Sequence, residues 1–203
     1  FEPLYYGERL RIINPEGDVG VITLWSKVDS ALQVINEAGI DLSEQTSRIA
    51  VVANLYGNGL QQMLRNLLWN PQIRYIVILG KNLSGSREWL TNFFSYGLEK
   101  VEFLGAKAFR IQNTNRNIDG ELRPEHFQSI PEFKVFGDLG NVETKNGLAK
   151  YFETLPVQAS CNIARVEPLP IPEPSVTRFP SQPMAHTIVR RTPMEAWSEL
   201  IFR

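Results

Sequence analysis

Two short apolar runs dominate the hydropathy pattern, Ile49–Ala53 (IAVVA) and Tyr75–Leu79 (YIVIL), and neither alternates with polar residues. Continuous β-branched runs of this length suit parallel strands buried on both faces. Between them Leu60, Met63, Leu64, Leu67 and Leu68 recur at i, i+3, i+4, i+7 and i+8, which is one apolar face of a helix. A helical crossover between parallel strands is almost always right-handed, so the stretch reads as a βαβ unit.

The remaining pattern extends this unit in both directions. Leu10, Ile12 and Ile13 suit a short edge strand, and Gly20–Trp25 (GVITLW) predicts the first buried strand. Ser26-Lys27-Val28-Asp29 has the form of a capping box, with Val28, Leu32 and Ile35 following at helical spacing and Gly39 placed to end the helix. Ser86 is placed to cap a helix carrying Trp89, Leu90, Phe93 and Phe94, with Gly97 at its end. Val101–Leu104 and Ala108–Ile111 are short strand candidates, and residues 112–132 are polar and turn-rich. Lys134–Phe136 suits a last strand, leading to a helix with Leu148, Tyr151 and Phe152. Strands alternating with helices imply a three-layer α/β/α, Rossmann-like sandwich with a mostly parallel sheet over residues 1–155.

After Leu155 seven prolines punctuate a stretch without helical or strand period: Pro156, Pro168, Pro170, Pro172, Pro174, Pro180 and Pro183. Residues 156–185 therefore read as an extended proline-rich linker, running over the domain surface or between domains. Thr187–Val189 is one more strand candidate. Thr192-Pro193-Met194-Glu195 is a strong helix start, yet the chain stops at Arg203, about two turns later. With Phe1 in place of an initiator methionine, the sequence reads as a fragment of a larger protein.

Bulk composition changes this picture little. The chain has 203 residues, 43% hydrophobic and 21% charged, as in ordinary globular proteins. A net charge of -1 gives no general attraction to nucleic acid or to an anionic membrane. No apolar run approaches the roughly 20 residues that span a bilayer. The single cysteine, Cys161, excludes an internal disulfide and a cysteine-cluster metal site, and a reducing cytoplasm is the simplest compartment.

In sheets of this kind ligands sit at the carboxyl ends of strands, where the strand order reverses. The loops of interest are therefore Trp25–Lys27, Asn54–Gly59, Gly80–Ser86 and Gly137–Asn141. Asn54, Tyr56, Gly57, Asn58 and Gly59 join a strand to a helix, where backbone N–H groups can receive an anion. This loop is neither a dinucleotide fingerprint nor a P-loop, and a glycine-permitted turn with an Asn cap is the plainer alternative. Gly80, Lys81, Ser84, Gly85 and Ser86 have the composition of a loop that lets a ligand approach the backbone. A connection capped by Ser86 fits it equally well. His126 and His186 have no Asp, Glu or Cys at ligand spacing, and Cys161 has no motif around it. Asp138 and Asn54 are the polar residues that an unrecognised enzyme site would use.

These residues carry a resemblance. GVITLWS, followed by IAVVANLYGNGLQQMLRNLLWNPQIRYIVILGKNLSG, resembles the cytoplasmic domain of the corrinoid-bearing subunit of tetrahydromethanopterin S-methyltransferase over roughly residues 18–140. Asn70-Pro71-Gln72-Ile73-Arg74, with Gly80 and Gly85, is the most specific part. The resemblance implies a Rossmann-like domain that holds a corrinoid and carries a methyl group on cobalt. In that family a His directly after the second glycine coordinates the metal, whereas here Ser86 follows Gly85. A serine hydroxyl is a poor cobalt ligand beside imidazole, which leaves only a corrinoid held without a protein ligand.

The tail is similar to a second family. His186–Arg190 and TPMEAWSELI resemble the opening strand and helix of a thymidylate synthase-like domain, which would begin within residues 186–203. Together the resemblances imply an accessory, non-catalytic or small-ligand-binding domain tethered to a thymidylate synthase-like partner domain in pyrimidine one-carbon metabolism. A corrinoid- or pterin-binding domain supporting methyl transfer is the alternative, and homo-oligomerisation is compatible with either.

Overall fold

A computed structural model describes residues 1–103, 106–158, 163–168 and 170–171. The chain divides into the units Phe1–Ile171 and Pro172–Arg203, and only the first contains described residues. Cys161, His186 and the candidate strand and helix after Thr187 lie outside the described residues.

The described chain mixes helix and strand. A five-stranded sheet runs in the order β1 (Arg11–Ile12), β3 (Ile49–Ala53), β2 (Val19–Ile22), β4 (Tyr75–Ile78) and β8 (Glu132–Val135). All its pairings are parallel except that of β1, which lies antiparallel on β3 as the expected edge strand. Gly20 of β2 faces Val51 on one side and Ile76 on the other. Every residue of β2 is buried, which explains its lack of polar alternation, whereas β8 at the other edge is exposed at all but Phe133 and reads polar.

Four α-helices accompany this sheet among the described residues: α1 (Val28–Glu37), α2 (Leu60–Trp69), α3 (Ser86–Tyr96) and α4 (Val142–Thr154). The buried apolar residues form two clusters. Ile22, Ile76 and Ile78 pack with Leu64 and Leu68 of α2 and with Leu90 and Phe93 of α3. Val19, Val21 and Val77 pack with Ala31 and Ile35 of α1 and Leu148 of α4. The alternation of β2 and β4 between the clusters is the period-two pleat of a strand. Each fully buried aliphatic side chain contributes about 1.5–3 kcal/mol, so these clusters dominate stability.

Residues 98–118 depart from the expected single sheet. β5 (Leu98–Phe103), β6 (Ala106–Ile111) and β7 (Asn117–Ile118) form a separate antiparallel sheet. A connection too short for a helix joins β5 to β6, and such a connection permits only a hairpin. Arg65 of α2, its side chain fully buried, pairs at 2.9 Å with Asp119, which follows β7.

The N-terminal segment is held by two asparagines on α2. Asn70 accepts from the Glu2 N–H at 2.7 Å and donates to its carbonyl at 2.8 Å. One turn earlier Asn66 accepts from the Leu4 and Tyr5 N–H groups and donates to the Tyr5 carbonyl. The asparagine of the Asn-Pro-x-Ile-Arg phrase thus ends α2 and ties down the start of the chain. The described part of the proline-rich stretch lies on the same unit, where Val166 packs on the first cluster and Arg48 donates to the Pro156 carbonyl. No described helix is long and apolar enough to cross a membrane.

Candidate functional site

Taking the parallel strands in chain order, β2 is followed by β3 on one side and then by β4 on the other, so the order reverses between β2 and β4. Topology therefore nominates the crevice between the ends of β2 and β4. There the expected first strand stops three residues early. Leu24 takes a left-handed φ of 49° and turns the chain back at Trp25 and Ser26.

Ser26 does not cap α1, whose N-cap is Lys27 without a side-chain bond. Its hydroxyl instead accepts the Lys81 N–H at 3.1 Å, and Trp25 N–H donates to the Lys81 carbonyl at 3.2 Å. Gly80, at φ 90°, is the residue this closure requires, because a Cβ there would stand 2.4 Å from Ser26 Oγ and 2.6 Å from the Thr23 carbonyl. The Gly80 N–H donates to the Gly137 carbonyl, which brings the loop after β8 into the same junction.

The rest of the loop is also engaged with itself. Trp25 Nε1 donates to Ser84 Oγ at 2.9 Å, and Ser84 and Ser86 hydroxyls share a 2.6 Å hydrogen bond. Ser86 is the first residue of α3 rather than its cap, and it is fully buried; the N-cap is Gly85 at φ 76°. Asn82 donates to the Glu88 carboxylate at 2.6 Å. Burial alone would raise the Glu88 pKa, but the hydrogen bonds from Asn82 and Arg87 and the Arg87 charge outweigh it and hold the carboxyl below its ordinary range. Lys81 is exposed, and its backbone rather than its ammonium serves the junction.

A corrinoid would need this crevice open and an axial donor aimed out of it. Ser86 is enclosed and bonded to Ser84, and Gly80 is packed against Ser26, so these residues do not fit the group. Among the described residues no three His, Cys, Asp or Glu come together as a metal site. His126 ends a short 3₁₀ turn, where its Nδ1 accepts the Arg123 N–H.

The end of β3 is different. A cleft of about 100 Å³ lies between α2 and the sheet, lined by Phe1, Leu10, Gly20, Ile22, Val51, Met63, Leu67, Ile73 and Ile76, with Asn54, Gln62 and Asn66 as polar members. It shares Tyr6, Leu10, Asn54 and Gly59 with a mouth of about 310 Å³ that adds Arg9, Tyr56, Gly57 and Asn58. Asn54 fixes the neighbouring turn, its Nδ2 donating to Thr23 Oγ1, the Leu24 carbonyl and the Ser26 carbonyl. Gly57 supplies a φ of 59°. Asn58 does not cap α2, whose N-cap is Gly59; its side chain accepts from Arg116 at 3.0 Å. Burial lowers the Arg116 pKa, and its guanidinium sits 4.9 Å from the Trp89 ring.

The expected site residues thus fall into two groups. Asn54, Tyr56, Gly57, Asn58 and Gly59 border the open cleft, whereas Gly80, Lys81, Ser84, Gly85 and Ser86 close the crevice. Trp25 stands between them, 4.9 Å from the Tyr56 ring. Asp138 turns the chain into α4, its carbonyl taking the Asn141 N–H. Sequence reasoning passed over Tyr6, Arg9, Gln62 and Gly20. The glycine within an apolar strand is a signal for Gly20, whereas no local pattern ties Tyr6 and Arg9 to the cleft.

No protein-family model and no curated protein matches the chain.

Proposed function

We propose that residues 1–155 form a Rossmann-like, three-layer domain that binds a small ligand at the end of β3 and serves as an accessory part of a thymidylate synthase-like protein. The observation that carries this reading is the contrast at the strand ends: the crevice between β2 and β4 is closed by its own side chains, while the β3 end opens into a cleft. The cleft lining consists of aliphatic groups, amides, glycines, aromatic rings and one guanidinium, which hold and orient a ligand. The two helix-bearing clusters on the sheet support the three-layer description. The link to a synthase rests on the resemblance of residues 186–203.

The test is turnover. The purified chain, given deoxyuridylate and methylenetetrahydrofolate, is expected to form no thymidylate, and the same chain is expected to bind a small ligand at the β3 end. Thymidylate formation at a rate above the uncatalysed background would overturn the accessory reading. A pterin is the second ligand class to try, since Tyr6 and Tyr56 place partly exposed aromatic rings at this mouth, with Trp25 beside Tyr56.

A further inference from the structure

Gly20 occupies the middle of the sheet, buried between Val51 and Ile76, where a glycine weakens a strand and an alanine or valine would strengthen it. Its backbone does not demand glycine, because it is absent from the glycines with positive φ. A register shift lies between Val19 and Gly20, but that irregularity too leaves φ in the range open to any residue. Nor does space demand it: a Cβ would make one ordinary contact, 3.5 Å from Ile73 Cγ2. What the missing side chain does provide is the floor of the apolar cleft.

The mouth supplies the complementary feature. Arg9 is the charged residue among those that line the cleft and its mouth, and no carboxylate is found among those described lining residues. Its guanidinium lies 5.0 Å from the Tyr6 ring at the rim. Glu8 approaches Arg9 at 3.5 Å, with both side chains about three-quarters exposed, so water screens that pair strongly.

From these two observations we infer that the cleft takes a small ring bearing an anionic group, the ring over Gly20 and the anion at Arg9. This rests on the small-ligand reading above and names the ligand's chemistry. The cleft of about 100 Å³ is smaller than the cavity of about 150 Å³ that encloses benzene, but it continues into a mouth of about 310 Å³. A single small ring therefore enters only with its substituent left in the mouth. The apolar walls favour the ring by excluding it from water, and the guanidinium selects a carboxylate over its neutral amide.

The experiment is an amide-resolved NMR titration of the whole chain with phenylacetate and, separately, phenylacetamide, each to millimolar concentration. Phenylacetate is expected to shift the amides of Gly20, Val51, Ile76 and Arg9, and to bind about fivefold more tightly than the amide at low salt. Arg9→Gln should bring the two affinities together. Gly20→Ala, which leaves the mouth untouched, should weaken both probes by about tenfold or more. Equal affinities in the native chain would overturn the anionic class while leaving a small-ligand site in place. Binding unaffected by Gly20→Ala would remove the ring from the cleft and overturn the inference. No shift of cleft amides with either probe would overturn both this inference and the small-ligand reading.

Discussion

The crevice at the ends of β2 and β4 and the cleft at the end of β3 both border loops that leave a parallel sheet at its carboxyl edge, and α2 and the N-terminal segment complete the cleft. They end in opposite states. In the crevice Gly80 brings two backbones together, the Ser26 hydroxyl takes the Lys81 N–H, and Trp25, Ser84 and Ser86 form a chain of side-chain hydrogen bonds. In the cleft Gly20 withholds a side chain from a place where one would fit. Both glycines are functional in a physical sense, one by permitting contact and the other by preventing it. Strand order nominates a region for ligands, and side chains decide which part of it is open.

The largest effect on this comparison should come from Gly80→Ala. The new Cβ would overlap the Thr23 carbonyl and Ser26 Oγ at a φ that L-residues rarely adopt, so we expect a loss of about 3 kcal/mol or more in denaturant unfolding. A loss under about 0.5 kcal/mol would show that the junction is loose. Trp25→Ala removes the hydrogen bond to Ser84 and the contact with Tyr56 while leaving backbone pairing intact. Because the indole is nearly half exposed, the expected loss is smaller, about 1 kcal/mol, with faster amide exchange confined to residues 82–86.

Gly20→Ala should move stability the other way, by about 0.5–1 kcal/mol, since it lowers the entropy of the unfolded chain and fills space. A destabilised Gly20→Ala protein would mean that the cleft floor is already closed.

The acid response of the crevice is the finest test. Glu88 has a folded pKa below its ordinary 4.5, so its ionised form is favoured by folding. That contribution is fully present above pH 4.5 and is lost as pH falls through the lowered folded value. Exchange at Asn82–Gly85 should therefore accelerate below pH 4.5, and Glu88→Gln should remove that dependence. Since this side chain is 40% exposed, the effect on global stability is small.

The buried strands were legible as continuous apolar runs, as in β3, and the four described helices because their apolar positions repeat with the helical period, as in α2. The antiparallel sheet of residues 98–118 was not, since short strands look alike whichever sheet they join. Local polar signals misled at Ser26 and Ser86. Both have the composition of helix caps, but the Ser26 hydroxyl takes the Lys81 N–H across the crevice, and the Ser86 hydroxyl bonds Ser84 within its own loop. The loops at the strand ends followed from topology alone. Tyr6 and Arg9 did not, because the segment carrying them is brought to the cleft by Asn66 and Asn70, more than 50 residues away. No local pattern encodes such a contact.

The most direct test of the account asks which strand end receives a ligand. In a single amide-resolved titration of the native chain, first with hydroxocobalamin and then with phenylacetate, the corrinoid is expected to leave Lys81–Ser86 unmoved. Phenylacetate is expected to shift Gly20, Val51, Ile76 and Arg9. Saturable shifts at Lys81–Ser86 with an unperturbed β3 end would contradict it.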